Sequence, residues 1–139
     1  MSAVVIFLRQ GEIIVVPQGG GGGDFFDSEP ILVVPPIADE VQAAVSASIK
    51  VSLASPYVEQ RPKGWKSPLL KRFGIRKEKD FNEGAQMCLV LEDKGKLEVE
   101  RWVPRRDGRG FEQAPEGARP LRNEQELGEA VLKALYWDE

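Results

Sequence analysis

The chain has 139 residues, 42% of them apolar and 29% charged, with a net charge of -3, which is typical of one folded domain with its own core. It contains one cysteine and no histidine, which excludes an internal disulfide, a Cys/His zinc site and a histidine-based catalytic relay within one chain. No apolar run reaches the roughly 18 residues of a membrane span, and no secretory signal pattern opens the sequence. We therefore expect a cytoplasmic protein that uses no cofactor, metal or membrane.

The first predicted elements are strands. Two runs rich in β-branched residues, 3–8 and 12–17, flank a turn that contains glycine and predict an antiparallel hairpin. The glycine-rich stretch 18–29 predicts a flexible loop, because a glycine run supplies no side chains to pack. A third apolar run, 31–35, predicts a strand or an extended segment that ends at two prolines.

The next elements are helical. After Ile37 the apolar residues recur every three or four positions, which predicts an amphipathic helix that ends before Pro56. The predicted buried stripe consists of Ile37, Val41, Ala44, Val45, Ile49 and Leu53. A proline-rich irregular segment follows. Ser67 and Pro68 then predict the N-cap and first residue of a short helix, and a second short helix should end near Gly84.

The last elements are a second hairpin and a second long helix. The segments 86–93 and 96–104 read as strands joined by a glycine turn, with a charged and solvated face on the second strand. Asn123 and Glu126 resemble a capping box before an amphipathic helix that starts near Leu127 and ends at Tyr136 and Trp137. The element order predicts an α+β fold. We expect a single domain over 1–139, with a mostly antiparallel sheet and two longer helices and one or two short helices packed on one face of it.

Charge is distributed in blocks along the chain. Residues 11–49 contain six acids and no Lys or Arg, whereas residues 61–79 contain eight basic residues and one acid. Charge separation of this kind can steer a partner, although it is also found on ordinary solvated surfaces.

The acidic block contains a candidate protein interface. Two adjacent phenylalanines lie between aspartates, and aromatic rings carry much of the energy of protein interfaces while flanking charges give selectivity. The alternative is that the rings fold back onto the core. The predicted partner-binding residues are Asp24, Phe25, Phe26, Asp27, Glu29, Asp39 and Glu40. Phosphate binding by the glycines and a divalent cation on Asp24, Asp27 and Glu29 are disfavoured, because the spacing fits neither a P-loop nor an EF-hand.

The basic block supports an alternative function, a small nucleic-acid-binding module, because basic and aromatic residues alternate in it. Its candidate residues are Lys63, Trp65, Lys66, Lys71, Arg72, Arg76, Lys77 and Lys79. The acidic composition of the whole chain, with a pI near 5.2, argues against it. A carboxylate enzyme using Asp80 and Glu83 is a third hypothesis that the sequence does little to support, and Cys88 is expected to be an inert core thiol.

The second half of the chain carries a family resemblance. It reads SPLLKRFGIRKEKDFNEGAQMCLVLEDKGKLEVERWVPRRDGRGF, followed by the amphipathic helix. Over residues 65–136, the order of elements and several glycine, aromatic and proline positions resemble a family of small bacterial immunity proteins from contact-dependent growth inhibition systems. The resemblance implies a cytoplasmic, non-enzymatic protein that binds the C-terminal toxin domain of a cognate effector, often a nuclease, one to one. It implies no small-molecule substrate. Since nuclease grooves are usually basic, the acidic block would complement them.

Overall fold

The computed structural model describes residues 1–21, 23, 25–61, 63–108 and 110–136. Over these residues, seven strands form an antiparallel sheet that is accompanied by four α-helices, which confirms the predicted α+β class. The elements are β1 Ser2–Arg9, β2 Glu12–Gly19, β3 Phe26–Asp27, β4 Leu32–Val34, α1 Ala38–Ala54, α2 Pro68–Arg72, α3 Glu78–Asn82, β5 Gln86–Asp93, β6 Lys96–Pro104, β7 Phe111–Leu121, a 3-10 turn Glu124–Glu126 and α4 Leu127–Leu135. None of these helices combines the length and apolarity that crossing a membrane requires.

Both predicted hairpins are present and lie side by side. Strands β1 and β2 pair antiparallel, as do β5 and β6, and β1 also pairs with β5 to join the two hairpins at the centre of the sheet. The order is β3-β2-β1-β5-β6-β7, with β4 on the same edge of β2 as β3. Both residues of the second turn, Lys94 (φ 53°) and Gly95 (φ 82°), adopt the left-handed conformation that tight hairpin turns require.

Strand β7 was not predicted from the sequence. Its residues include Pro115, Gly117 and Pro120, and only Ala114 in it is buried, so the alternation of apolar and polar residues is missing. The strand pairs with β6 on one side only, and the pairing shifts register between Glu100 and Trp102. Proline is tolerated at such an edge because the outer side of the strand needs no N–H donor.

The helices cover both faces of the sheet, so the expectation of helices on one face was wrong. We call the face that packs against α1 and α4 the helical face; its sheet residues include Val4, Ile6, Val15, Cys88 and Val90. We call the opposite face the aromatic face; its buried residues include Phe7, Ile14, Val16, Leu69 and Phe81. Helices α2 and α3 lie there. Because both faces are covered, β1 and β2 are apolar at successive positions, as strands buried on both sides are.

Helix α1 lies where the apolar period predicted it, with Asp39 and Glu40 in its first turn. The stripe is buried at its centre but not at its ends. Ile37 is 55% exposed because it is the extended N-cap residue, and Leu53 is 58% exposed in the last turn. Ser52 fixes this last turn to the sheet: its hydroxyl donates to the Gln18 carbonyl at 2.6 Å and accepts from the backbone N–H of Ala3 at 3.0 Å.

The two long helices meet at a glycine. A Cβ at Gly128 would collide with the Ala38 carbonyl oxygen, so only glycine allows α4 this close to α1. The predicted capping box is not formed, because Asn123 makes no side-chain cap hydrogen bond and precedes a 3-10 turn. Instead, Gln42 of α1 accepts from the Gly128 N–H at 2.9 Å and donates to the Glu124 carbonyl. The cap of α4 is therefore supplied by the neighbouring helix.

The glycine-rich stretch begins inside the sheet. Strand β2 continues to Gly19, and Gly20 forms a bridge with Tyr57, while Val58 donates to the Gly20 carbonyl at 3.0 Å. A Cβ at Gly23 would overlap the Val58 carbonyl oxygen. These glycines therefore allow two backbone segments to pass in contact. The flexibility of 18–29 stays a prediction.

Candidate functional site

An open cavity of about 310 Å³ lies on the aromatic face. Its base is the sheet, and its walls come from the segment around β3, the irregular chain before α2, and α3. Its aromatic lining residues are Phe7, Phe25, Phe26, Trp65, Phe81, Trp102 and Phe111. Clefts with an apolar lining and a few polar groups are the usual form of ligand and partner sites, so this cavity is the candidate functional site.

The base of the cavity is a set of rings fixed by one another. Phe7 of β1 packs edge-on against Phe81 of α3, with ring centroids 4.9 Å apart, and also approaches Phe111 of β7 at 6.3 Å. The Arg9 guanidinium lies 5.1 Å from the centre of the Phe81 ring, a cation–π contact that closes one side of the cluster. Because Phe81 is almost fully buried, these contacts anchor α3 to the sheet.

The wall of the cavity includes a second aromatic pair. Phe26 and Trp65 contact edge-on with centroids 5.9 Å apart, and the Arg61 guanidinium lies 5.1 Å from the Trp65 ring centre. Gly19, which precedes the bridge to Tyr57, leaves room for this pair, since a Cβ there would be 3.1 Å from the Phe26 ring. The pair brings the acidic block and the basic block of the sequence together.

Asp27 is a polar group of the cavity that accepts two side-chain hydrogen bonds. Its carboxylate accepts from Gln18 Nε2 at 2.9 Å and from Ser67 Oγ at 3.2 Å. Gln18 is buried, and Ser67 also caps α2 by accepting from the Leu70 N–H at 3.4 Å. One carboxylate therefore connects β2, β3 and the start of α2, and it does so at the cavity lining.

The structure divides the predicted partner-binding residues. Phe25, Phe26 and Asp27 line the cavity, and Glu29 is exposed shortly after them. Asp24 lies outside the described residues. Asp39 and Glu40 are exposed in the first turn of α1. They lie about 20 Å along the helix axis from Ser52, in the last turn, whose hydroxyl donates to Gln18 at the end of β2 that lines the cavity. The acidic block thus does not form one patch.

The basic candidates follow the outer side of the segment that covers the aromatic face. All of them are exposed except Trp65, which is half-buried in the cavity wall. Arg72 also has a structural contact, because Nη1 donates to the Ile31 carbonyl at 3.4 Å. The carboxylates of the third hypothesis, Asp80 and Glu83, are exposed on and after α3, and neither lines the cavity.

Several cavity residues were missed by the sequence reasoning, among them Phe7, Gln18, Arg61, Ser67, Met87, Trp102 and Phe111. For Phe7, the alternation of side chains along the strand is a signal that the sequence does contain. Phe7 has the opposite strand parity from Val4 and Ile6, so it had to lie on the other face of the sheet. The register that sets Met87 beside Trp102 comes from pairing between strands, which one sequence does not reveal.

The single cysteine lies on the opposite face of the sheet from this cavity. Cys88 is buried on the helical face, and desolvation by burial raises the pKa of its thiol, so the thiol stays protonated. Within the described ranges, no three His, Cys, Asp or Glu side chains are grouped as metal ligands would be.

Known proteins share the fold. The sequence matches no family model and no curated protein. A protein of unknown function from Neisseria meningitidis has a TM-score of 0.72 to this chain at 12% identity, over 99% of this chain and 94% of that one. A chain of a CdiA-CT/CdiI toxin and immunity complex from Yersinia pseudotuberculosis has a TM-score of 0.67 at 11% identity, over 96% and 94%. Identities this low show a shared fold, and that fold agrees with the resemblance to immunity proteins found in the sequence.

Proposed function

We propose that this chain is an immunity protein that binds and neutralises the toxin domain of a contact-dependent growth inhibition effector. The observation that carries the proposal is the fold similarity, over nearly the whole of both chains, to one chain of a toxin and immunity complex. The resemblance of residues 65–136 to the immunity family supports it independently. In this proposal the protein is cytoplasmic, acts one to one, and inhibits by occupying a surface of the toxin rather than by chemistry of its own.

The proposed contact surface is the rim of the cavity. Phe25 and Phe26 supply ring surface there, and Glu29 supplies a solvated negative charge. A nuclease toxin fits this surface because its substrate groove carries basic residues. Asp27 supplies a second negative charge, which two neutral donors, Gln18 and Ser67, hold in place at the cavity lining.

The direct test is calorimetric titration of this protein with the domain encoded by the end of the upstream gene. We expect one-to-one binding with a Kd on the order of 1–10 nM, as in tight inhibitor complexes, and protection of cells that express the domain. Absence of heat at micromolar concentrations would contradict the proposal.

Charge reversal tests which surface of this protein binds the toxin, separately from whether the toxin is bound at all. Glu29→Lys should lower the association rate about threefold to tenfold and weaken its dependence on salt, because it reverses a charge beside the proposed contact. The matched control is Asp39→Lys, at the far end of α1, which should leave the rate nearly unchanged. If the control slows association and Glu29→Lys does not, the toxin binds elsewhere on this protein.

A nucleic-acid-binding module is the second candidate, because the exposed Lys and Arg side chains between residues 63 and 79 lie on one segment, which covers the aromatic face. It requires salt-sensitive binding to RNA or DNA through Lys71 and Lys77. Anisotropy titration of a labelled single-stranded RNA at low salt tests it. A signal that rises with protein and is lost in the Lys71→Glu, Lys77→Glu variant would favour this function, whereas a flat titration would remove it.

A further inference from the structure

We infer that the cavity on the aromatic face binds a small aromatic amine, that is, one planar ring system with a protonated amino group on a short chain. The inference concerns this protein alone and does not depend on the proposed function. At about 310 Å³, the cavity is at the low end of the 300–1,000 Å³ that ligand pockets occupy. Its size therefore suits a single ring system.

The hollow is built into the fold. It is an open cleft between large side chains that come from the sheet and from the segments covering it. Its walls cannot easily collapse, because Phe81 is anchored on Phe7 and the Asp27 carboxylate holds β3 to β2 and to the cap of α2. A ligand would enter a preformed site, which lowers the ordering cost of binding.

Rings approach the hollow from separate elements. Trp102 comes from β6, Phe26 from β3, and Trp65 from the chain before α2. Aromatic groups interact favourably at centroid separations of 4.5–7 Å in edge-on or offset arrangements, which walls of different orientation provide for a planar guest. The lining thus favours an aromatic ring over a flexible aliphatic chain.

The charges of the lining favour a cation. Among the residues that the structure describes, the charged side chains along the cavity are Asp27, Glu78 and Arg61, two acids and one base. The Arg61 guanidinium lies over the Trp65 ring. An ionised carboxylate has about four acceptor positions, and the donors Gln18 and Ser67 use two of those on Asp27. The remaining positions can accept an ammonium group, and the ring faces add cation–π attraction.

Three probes with the same ring test the inference: tryptamine, indole and indole-3-acetate, which carry a positive, no and a negative charge. Each is titrated into isotope-labelled protein while the indole N–H signals of Trp65 and Trp102 are followed by NMR. We expect tryptamine to shift both signals with a Kd on the order of 0.1 mM, which is reasonable for a ligand of about a dozen heavy atoms. Indole should bind about tenfold more weakly, and indole-3-acetate more weakly still.

Variants separate recognition of charge from recognition of the ring. Asp27→Asn keeps an oxygen for Gln18 and should reduce the preference for tryptamine over indole to about twofold or less. Glu29→Gln makes the same charge change outside the lining and should leave the preference intact. Phe26→Leu should weaken tryptamine and indole by the same factor. Equal affinities of the three probes for the unaltered protein, or unmoved Trp65 and Trp102 signals up to about 2 mM, would overturn the inference.

Discussion

The two faces of the sheet are filled by different side chains and are closed to different degrees. The helical face is packed with aliphatic residues between the sheet and two long helices, and Leu127, Val131 and Leu135 of α4 are almost fully buried there. The aromatic face is covered by two helices of five residues each and by irregular chain, and its cavity of about 310 Å³ is larger than the one of about 170 Å³ beside α4 on the helical face.

This difference separates stability from binding. Long helices bury continuous stripes and hold the sheet, so the helical face should set the free energy of unfolding. The short helices are held by a few contacts, such as buried Phe81 and the Ser67 cap. They leave room for a ligand, and the core on this face is less complete. Substitutions on the two faces should therefore give different phenotypes, which the following experiments examine.

The largest expected effect is on the helical face. Leu127→Ala should lower the free energy of unfolding by about 2–5 kcal/mol, because a fully buried leucine is removed from packed surroundings. Leu70→Ala, which shortens a half-buried residue of the cavity, should cost only about 1 kcal/mol. Urea denaturation of both variants measures the contrast. Equal losses would mean that both faces support the fold alike.

The next effect concerns the helix–helix contact. Gly128→Ala should destabilise by about 1–3 kcal/mol, although alanine favours helices, because the new methyl group meets the Ala38 carbonyl. Gly95→Ala is the control: it has open space around it but a φ of 82°, so it should cost about 1 kcal/mol from backbone conformation alone. If Gly128→Ala stabilised the protein, α1 and α4 would have to separate without penalty.

A smaller loss of stability is expected where Gly23 passes in contact with the backbone of Val58. Gly23→Ala should cost about 1 kcal/mol, since the added methyl group overlaps the Val58 carbonyl in a segment near the surface, where the chain can partly relax. Hydrogen exchange of the Val58 amide, which donates to Gly20, reports the same contact and should accelerate in the variant. Fast exchange of this amide in the unaltered protein would favour the flexible loop predicted for residues 18–29 instead.

Most of the fold could be predicted because its signals are local. The two hairpins follow from apolar runs joined by glycine turns, and the centre of α1 follows from its period. The parts that could not be predicted depend on long-range pairing. Strand β7 is held by β6 despite two prolines, and the cap of α4 comes from Gln42, 86 positions before Gly128.

The candidate site was predicted only at one wall. This wall consists of Phe25, Phe26 and Asp27. These residues were selected from the sequence for a protein interface, because aromatic rings beside acids are conspicuous in any sequence. Its relation to Trp65 was hidden, since the contact joins two segments that the sequence assigned to opposing hypotheses. The acidic block of the sequence also placed Asp39 in the same predicted site as Asp27. In the structure, Asp39 lies in the first turn of α1, and the length of this helix keeps the two residues apart. Proximity in sequence is a weak guide when a strand intervenes and one of the two residues begins a helix.

The smallest expected effect lies at the edge of the sheet, away from the cavity. Arg101 of β6 donates from Nε and Nη2 to the two carboxylate oxygens of Glu116 of β7, both at 2.6 Å. This hydrogen bonding lowers the pKa of Glu116 below its ordinary value. A carboxylate with a lowered pKa in the folded state contributes its stability above the pKa of the unfolded chain, and loses it as the pH falls through the folded value.

Because Glu116 is solvent-exposed, the effect on stability should be slight, and the pKa itself is the better observable. We expect Arg101→Gln to raise the pKa of Glu116 towards that of an ordinary glutamate, as followed by NMR of its carboxyl carbon between about pH 2 and 7. The control Arg122→Gln removes a positive charge just past the end of β7 and should shift this pKa little. If the two variants shift it equally, the general field of the basic residues, and not the paired hydrogen bonds, determines the titration of this strand.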